Sequence, residues 1–240
     1  MPTDDNEEIM TTNEMSPNWN WDRPIAAPGS MSVDFEERVN FDRLRDYRVA
    51  RTRSALKNSE LGAILCFDNN NIRYITSSVI GEWSRDKICR YSLFTGNSEP
   101  YLWDFGSAAT HHRLFSPWLD PDRCKAGMLG LRGSVAEEAG LFKQAAEEIK
   151  RLLQVEGVAD MPLGVDICEP PMMFALQAAG IEVRDGQQMM LDARQIKSMD
   201  EIVLLNQSAA IVDGAYQGIA EALKPGAREN QMVALANKLL

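Results

Sequence analysis

Paired cysteines and long apolar runs are both missing from this sequence. Its four cysteines lie far apart and form no Cys-x-x-Cys pair, so neither a zinc ribbon nor a disulfide framework is indicated. We expect free thiols, three of them buried, in a reducing cytoplasm. No apolar run approaches the roughly 20 residues needed to cross a bilayer, so we predict no membrane-spanning segment.

Basic residues are also scarce. Lys and Arg number 25 against 35 Asp and Glu, which gives a formal net charge of -10. Binding to nucleic acid needs clustered Lys and Arg against the phosphates, so the charge argues against a nucleic-acid partner. We expect a soluble globular protein instead.

The first 34 residues differ in composition from the rest. MPTDDNEEIMTTNEMSPNWNWDRPIAAPGS is acidic and proline-rich and has no apolar stretch after a basic start, so it is not a signal peptide. We predict an extended arm over residues 1–34. Trp19 and Trp21 permit two interpretations of equal weight: they pin the arm to a neighbouring surface, or the arm is a loosely docked tail.

Helix and strand patterns alternate after the arm. FDRLRDYRVARTRSALKNSE predicts a surface helix, GAILCF a buried strand, and IRYITSS a second strand after a turn at DNNN. RYSLFT and PYLWDF predict two strands joined by a GNSE hairpin connection. Ser134 and Glu137 predict a capping box that opens a helix ending near Gly157. LGVDI, PPMMFALQAAG and IEVRDG predict a strand, a helix and a strand. These patterns predict an α/β domain over residues 35–190, with a mixed sheet flanked by helices.

The last 50 residues change in character. Ser198 and Glu201 form a second capping-box pattern, and apolar residues then recur at helical spacing for some 25 residues. Lys224-Pro225-Gly226 ends that helix, and a second one begins at about Ala227. Two helices cannot bury their own apolar stripes. We therefore expect a partner chain or a further part of the protein to cover them.

Histidine, the commonest metal ligand, occurs only at His111 and His112. In an extended segment neighbouring side chains point to opposite faces, so these two would not chelate one ion. We expect a polar surface pair that follows a strand end. That strand is expected to finish at Asp104-Phe105-Gly106, where Gly106 turns the chain.

Two stretches carry a family pattern: ARQIKSMDEIVLLNQSAAIVDGAYQGIAEAL in the last 50 residues and LGAILCFDNNNIRYITSS in the predicted α/β domain. The first resembles the opening of the catalytic domain of the pita-bread metalloenzyme family, and the second resembles a strand–turn–strand of that family's N-terminal domain. The family includes Xaa-Pro aminopeptidases, prolidases, creatinase and a dimethylsulfoniopropionate lyase branch. The residues that fill the two patterns are Arg194, Ile196, Lys197, Ser198 and Glu201, and Asn71, Ile72, Arg73, Tyr74 and Thr76.

This resemblance, over about residues 41–240, implies a fold and an incomplete domain organisation. We expect a creatinase-like N-terminal domain, followed over residues 191–240 by the first two helices of a pita-bread catalytic domain. The family's binuclear site uses two Asp, one His and two Glu that lie beyond that point. No residue of this chain is therefore carried over as catalytic, cofactor-binding or metal-binding.

The segment EWSRDKICRYSLFTGNSEPYLWDFGSA looks more like the lyase branch than like ordinary prolidases. The resemblance places Trp83 and Arg90 against the substrate pocket. An aromatic wall and a guanidinium suit a small charged substrate. The alternative is structural: Trp83 packs in the core, and Arg90 pairs with a nearby acid such as Asp86.

The resemblance implies an Xaa-Pro peptidase-like hydrolase acting on a small molecule or dipeptide. The enzyme would be a cytoplasmic homodimer in which two divalent metal ions activate a bridging water. One alternative keeps the fold and carries out metal-assisted β-elimination on dimethylsulfoniopropionate. A further alternative is a non-catalytic truncated paralogue that serves as a dimerisation or regulatory module. Creatinase-like amidinohydrolysis stays open, although its pattern around Trp83 is a poorer match.

Overall fold

The computed structural model describes residues 39–79 and 88–240. No helix within these two ranges combines the length and the apolar character that a membrane crossing requires. The predicted arm over residues 1–34, with Trp19 and Trp21, lies outside the described residues.

The described chain contains a mixed six-stranded sheet in the order β4-β3-β2-β1-β5-β6. The β1–β2 and β2–β3 pairs are antiparallel, and the other three pairs are parallel. The strands are β1 (Ala63–Cys66), β2 (Tyr91–Phe94), β3 (Tyr101–Asp104), β4 (Cys124–Ala126), β5 (Leu163–Val165) and β6 (Val183–Asp185). The predicted mixed sheet, with the hairpin at GNSE, is therefore confirmed.

Six helices accompany this sheet and two more follow it in the described chain. They are α1 (Phe41–Lys57), α2 (Asn69–Thr76), α3 (Gly106–Phe115), α4 (Leu141–Val155), α5 (Pro170–Ala178), α6 (Gln187–Gln195), α7 (Met199–Ala222) and α8 (Glu229–Leu239).

The two faces of the sheet carry separate hydrophobic cores, because successive side chains of a strand point in opposite directions. In β1, Ala63 and Leu65 enter one core together with Ile149 of α4. Ile64 enters the other core, together with Ile72 of α2 and further residues from α1 and α6. Both faces are covered by helices, which explains why every residue of β1 is apolar and buried.

The segment IRYITSS, predicted as a strand, is helical. Asp68 caps α2 by accepting hydrogen bonds from the backbone amides of Asn70 and Asn71 at 2.8 and 3.1 Å. Residues 71, 72, 74, 75 and 76 are then buried along the helix. The strand prediction was wrong because the β-branched and aromatic residues satisfied a period of two, while the N-cap decided the local structure.

The capping box predicted at Ser134 and Glu137 is also absent. The hydroxyl of Ser134 donates to the carbonyl of Leu131 at 2.7 Å, and Glu137 lies in a short 3-10 turn. The helix α4 begins only at Leu141, after Gly140 in a left-handed conformation with φ 66°. A left-handed residue ends the preceding turn, so the real helix start lies seven positions after Ser134.

The described residues separate into two compact units, one of Arg45–Ile196 and a second of Lys197–Leu240 together with residues 39–44. The predicted domain limits at residues 34/35 and 190/191 stay predictions. In the second unit the capping box of α7 is confirmed, since Ser198 and Glu201 cap each other's backbone amides at 3.0 and 3.2 Å. Many apolar residues of α7 and α8 are exposed, among them Leu205, Val212, Tyr216 and Val233.

Candidate functional site

Of the two residues predicted to face substrate, the structure places one. Trp83 lies outside the described residues, as does Asp86. Arg90 directly precedes β2, and its side chain is almost completely buried, with a relative exposure of 2%. A substrate contact by Arg90 stays a prediction, and the structure shows which protein groups its guanidinium contacts.

Arg90 and Asp104 form a buried ion pair through Nη1 and Oδ2. The antiparallel register brings them together, because Tyr91 of β2 lies opposite Trp103 of β3. The residues before β2 and at the end of β3 are therefore neighbours. Asp104 is fully buried, and a carboxylate in such a place needs a charged or hydrogen-bonding partner.

The other terminal nitrogen of Arg90 contacts Ser78, twelve positions earlier in the chain. Nη2 donates to the Ser78 carbonyl at 2.8 Å and to the Ser78 hydroxyl at 3.2 Å. Nε has no hydrogen-bond partner among the described residues. Burial lowers the pKa of Arg90 below its ordinary value, and the charge of Asp104 opposes that shift.

His112 completes this cluster from α3. Its Nε2 lies 3.2 Å from Oδ2 of Asp104 and 3.5 Å from Nη1 of Arg90. The histidines were predicted as a polar surface pair on an extended segment, which is wrong for His112. On a helix two neighbouring residues are about 100° apart, so His111 is exposed beside Phe115 while His112 is buried.

Two residues that carry the family resemblance, Asn71 and Tyr74, make long-range hydrogen bonds within the unit Arg45–Ile196. Asn71 donates through its side-chain nitrogen to Asp166 at 2.9 Å, and the hydroxyl of Tyr74 donates to the carbonyl of Ala193 at 3.2 Å. Asp166 also accepts from the backbone amide of Phe67 at 2.8 Å. Burial raises the pKa of Asp166, although these hydrogen bonds oppose the shift. These contacts join the carboxyl ends of β1 and β5.

The next feature is the set of possible metal ligands in the described part of the chain. Within residues 39–79 and 88–240, no group of three or more His, Cys, Asp or Glu side chains is placed to hold an ion. A binuclear hydrolytic centre needs several carboxylates that converge with open coordination positions. Asp104 and His112 converge, but Arg90 occupies the same carboxylate oxygen. Asp104 and His112 therefore do not fit a binuclear metal centre.

A cleft with a volume of about 450 Å³ in the unit Arg45–Ile196 is lined by both polar and apolar residues. Its arginines are engaged by the protein itself. Arg51 donates to the carbonyls of Asp192 and Ala193, and Arg184 pairs with Glu60. Because both arginines already bind protein groups, they do not mark the cleft as an anion-binding site. Arg90, Asp104 and His112 therefore form the best candidate for a functional role among the described residues.

Two curated proteins are similar to this chain in sequence. No protein-family model matches the chain. It is 28% identical over 171 residues to Dimethylsulfoniopropionate lyase DddP from Roseovarius nubinhibens, covering 69% of this chain and 37% of that protein. It is 30% identical over 168 residues to the protein of the same name from Roseobacter denitrificans, covering 69% of this chain and 35% of that one. The chain thus spans little more than a third of these curated relatives.

Solved structures agree on the fold. The Xaa-Pro dipeptidase from Bacillus anthracis superposes with a TM-score of 0.57 at 16% identity, over 81% of this chain and 48% of that one. The prolidase from Pyrococcus horikoshii gives a TM-score of 0.51 at 20% identity, over 80% and 47%. The predicted resemblance to pita-bread enzymes is therefore confirmed over part of their length. The creatinase-type α/β fold is confirmed with it.

Proposed function

We propose that this chain is the N-terminal part of a metal-dependent enzyme of the pita-bread type, an Xaa-Pro peptidase-like hydrolase that acts on a small molecule or dipeptide. The two divalent ions would be held by residues outside this chain. In the proposal the domain borders the substrate pocket, and the enzyme is a cytoplasmic homodimer.

The fold is the observation that carries this proposal. Four-fifths of the chain superposes on an Xaa-Pro dipeptidase and on a prolidase. The helix α7 adds support, since the ARQIKSMDE segment leads into it and the family pattern has a long helix at this place.

A second candidate is a lyase that acts on dimethylsulfoniopropionate. The observation favouring it is the name shared by both curated relatives, at 28% and 30% identity. In that reaction a base takes the proton α to the carboxylate and the C–S bond breaks. The sulfur leaves with the electron pair as dimethyl sulfide, and the new Cα–Cβ double bond gives acrylate. The hydrolase would instead add water across an amide and release proline.

The two reactions are distinguished by their products. Native enzyme purified from its source is incubated in parallel with an Xaa-Pro dipeptide and with dimethylsulfoniopropionate, each with added divalent metal. Free proline, volatile dimethyl sulfide and acrylate are quantified in both reactions. A sample treated with a chelator serves as the control, because both reactions are proposed to need the ions.

Release of proline without dimethyl sulfide supports the hydrolase. Release of dimethyl sulfide and acrylate in equal amounts, without proline, overturns it in favour of the lyase. Absence of all three products with either substrate contradicts both reactions. That result would favour a dimerisation or regulatory module.

A further inference from the structure

We infer that a small cavity at one edge of the sheet binds a small zwitterion with a short aliphatic group, the class to which apolar α-amino acids belong. The cavity lies in the unit Arg45–Ile196 and has a volume of about 80 Å³. Its lining combines an apolar interior with two charged side chains of opposite sign, Arg132 and Glu169. Ligand sites are commonly built in this way, from a mainly apolar wall and a few placed polar groups.

The cavity lies at the position where open α/β sheets commonly bind ligands. β1 and β5 are parallel neighbours, and the helices that follow them cover opposite faces of the sheet. Ile72 of α2 enters one core, and Leu176 of α5 enters the other. Ligands bind outside the carboxyl ends of the strands at such a switch point. Phe67 directly follows β1 and Ile167 closely follows β5, and both line the cavity.

The interior of the cavity is apolar and sized for a short aliphatic group. Phe67, Ile88, Phe142 and Met172 are buried side chains of its lining. Burial raises the pKa of the Cys168 thiol to about 11, so this residue lines the cavity in its neutral form. The volume is well below the ~150 Å³ of a cavity that holds benzene. A branched chain of a few carbons therefore suits the space better than an aromatic ring.

Arg132 and Glu169 supply charges that the described part of the protein does not engage. Arg132 is exposed and Glu169 is half-buried. Neither the guanidinium nor the carboxylate forms a hydrogen bond or an ion pair with another described residue. The arginines of the larger cleft, Arg51 and Arg184, are instead bound to protein groups. A guanidinium is suited to a carboxylate and a carboxylate to an ammonium, so the two side chains fit both charges of a zwitterion.

The turn that carries Arg132 is held in place by its own hydrogen bonds. The amide and the hydroxyl of Ser134 both donate to the carbonyl of Leu131, at 3.1 and 2.7 Å. The amide of Ile88 donates to the carbonyl of Gly130 at 3.0 Å, which joins the turn to the apolar wall. A wall that is ordered before the ligand arrives lowers the cost of binding.

The opposite wall is fixed by Asp166. Its carboxylate accepts from the amide of Phe67 at 2.8 Å and from the amide of Ile167 at 2.6 Å, which joins the ends of β1 and β5. Glu169 then begins α5, and its carbonyl accepts from the amide of Met172 at 3.0 Å. The Glu169 side chain makes no capping hydrogen bond to this helix. Its carboxylate is therefore available to a ligand.

The test titrates L-leucine into the full-length enzyme, in which the methionine methyl groups are isotope-labelled for NMR. The methyl signal of Met172 reports binding at the cavity, and that of the exposed Met161 is the reference. Three analogues each lack one part of the ligand: glycine lacks the aliphatic group, isocaproate the ammonium and isoamylamine the carboxylate. Each analogue therefore tests one feature of the lining.

L-Leucine should shift the Met172 signal in a saturable way, with a dissociation constant of about 1 mM, which is ordinary for a ligand of this size. The Met161 signal should stay unchanged. Each analogue should bind at least about fivefold more weakly, since it lacks either the apolar contact or one partly exposed ion pair.

The variants Arg132→Gln and Glu169→Gln should each weaken the binding of L-leucine at least about fivefold, because each removes one ion pair. The controls Arg151→Gln and Glu147→Gln, at exposed positions of α4, should stay within about twofold of the parent. Arg132→Gln should leave the affinity for isoamylamine unchanged, and Glu169→Gln the affinity for isocaproate, since each analogue lacks the group that the side chain binds. These paired results separate recognition of the ligand from a general change in the cavity.

Absence of a saturable Met172 shift up to about 50 mM L-leucine would overturn the inference. Equal affinity for L-leucine and all three analogues would overturn it too, as would equal affinity for L-leucine in the parent and both cavity variants. The measurement follows binding and requires no turnover. It therefore decides the inference whether or not the proposed hydrolase activity is found.

Discussion

The hydroxyl of Tyr101 donates a 2.8 Å hydrogen bond to the carboxylate of Glu156, which joins the start of β3 to the end of α4. Ser98 donates to the same carboxylate at 2.7 Å, and Arg123 lies 3.1 Å from it. Burial by itself raises the pKa of Glu156, but these hydrogen bonds and the charge of Arg123 outweigh it. The pKa of Glu156 therefore lies below its ordinary value.

The shift at Glu156 predicts a dependence of stability on pH. A carboxyl whose folded pKa is lowered contributes stability that is fully present above its unfolded pKa and is lost as the pH falls through the folded pKa. We expect the stability difference between the parent and Glu156→Gln to shrink in that acidic range. Urea denaturation at pH 7 and at successive lower pH values measures it. Glu147→Gln, an exposed position on α4, should show a smaller dependence, and equal curves for both variants would contradict the prediction.

Breaking the buried ion pair should destabilise the protein strongly. Asp104→Asn leaves the guanidinium of Arg90 buried without its counter-charge, which typically costs about 3–5 kcal/mol in the free energy of unfolding. Asp122→Asn, at an exposed position, should stay within about 0.5 kcal/mol. Urea denaturation of both variants at neutral pH measures the difference. If both variants lose a similarly small free energy of unfolding, the Arg90–Asp104 pair contributes little to stability and the prediction is wrong.

Ser198 and Ser134 both begin an S-x-x-E pattern, but replacing them by alanine should cost different amounts of stability. Ser198→Ala removes the side-chain cap of α7 and should cost about 1 kcal/mol, with faster hydrogen exchange at the Glu201 amide that Ser198 accepts from. Ser134→Ala removes only a bond to the carbonyl of Leu131 and should stay within about 0.5 kcal/mol. The prediction is wrong if the second substitution costs as much as the first.

The substitution Ser77→Gly should stabilise the protein. Ser77 has a left-handed conformation with φ 50° and ψ 29° at the end of α2, which costs an L-residue about 1–2 kcal/mol. Part of the gain is offset because glycine loses more backbone freedom on folding, so we expect a net gain of about 0.5 kcal/mol. The midpoint of urea denaturation measures it, with Ser77→Ala as the control that should bring no gain. A lower midpoint for Ser77→Gly than for the alanine variant would contradict this account.

Much of the fold could be predicted from sequence, because apolar runs and hairpin signals are local. The strands at β1, β2 and β3 were predicted in this way. The helix α2 was missed, although one signal could have identified it: Asp68 is a good N-cap residue, and the apolar residues Ile72 and Ile75 follow at helical spacing. The β-branched and aromatic residues of this segment favour a strand, and that propensity takes no account of the N-cap.

The cluster at Arg90 could not be predicted in full. Its partners Asp104 and His112 lie 14 and 22 positions away, and their meeting depends on strand register and on the packing of α3. The sequence does contain one hint, since an acid directly ends a strand of otherwise apolar residues. A buried acid implies a buried partner, and Arg90 was the arginine next to the paired strand.

The most direct test of the proposed metal-dependent hydrolase is metal analysis of the native enzyme, combined with its activity on an Xaa-Pro dipeptide. The account predicts about two divalent ions per chain, with activity lost on chelation and restored by the ions. Full hydrolysis by metal-free enzyme would contradict it. A native protein that binds no divalent ion and releases no proline would contradict it as well.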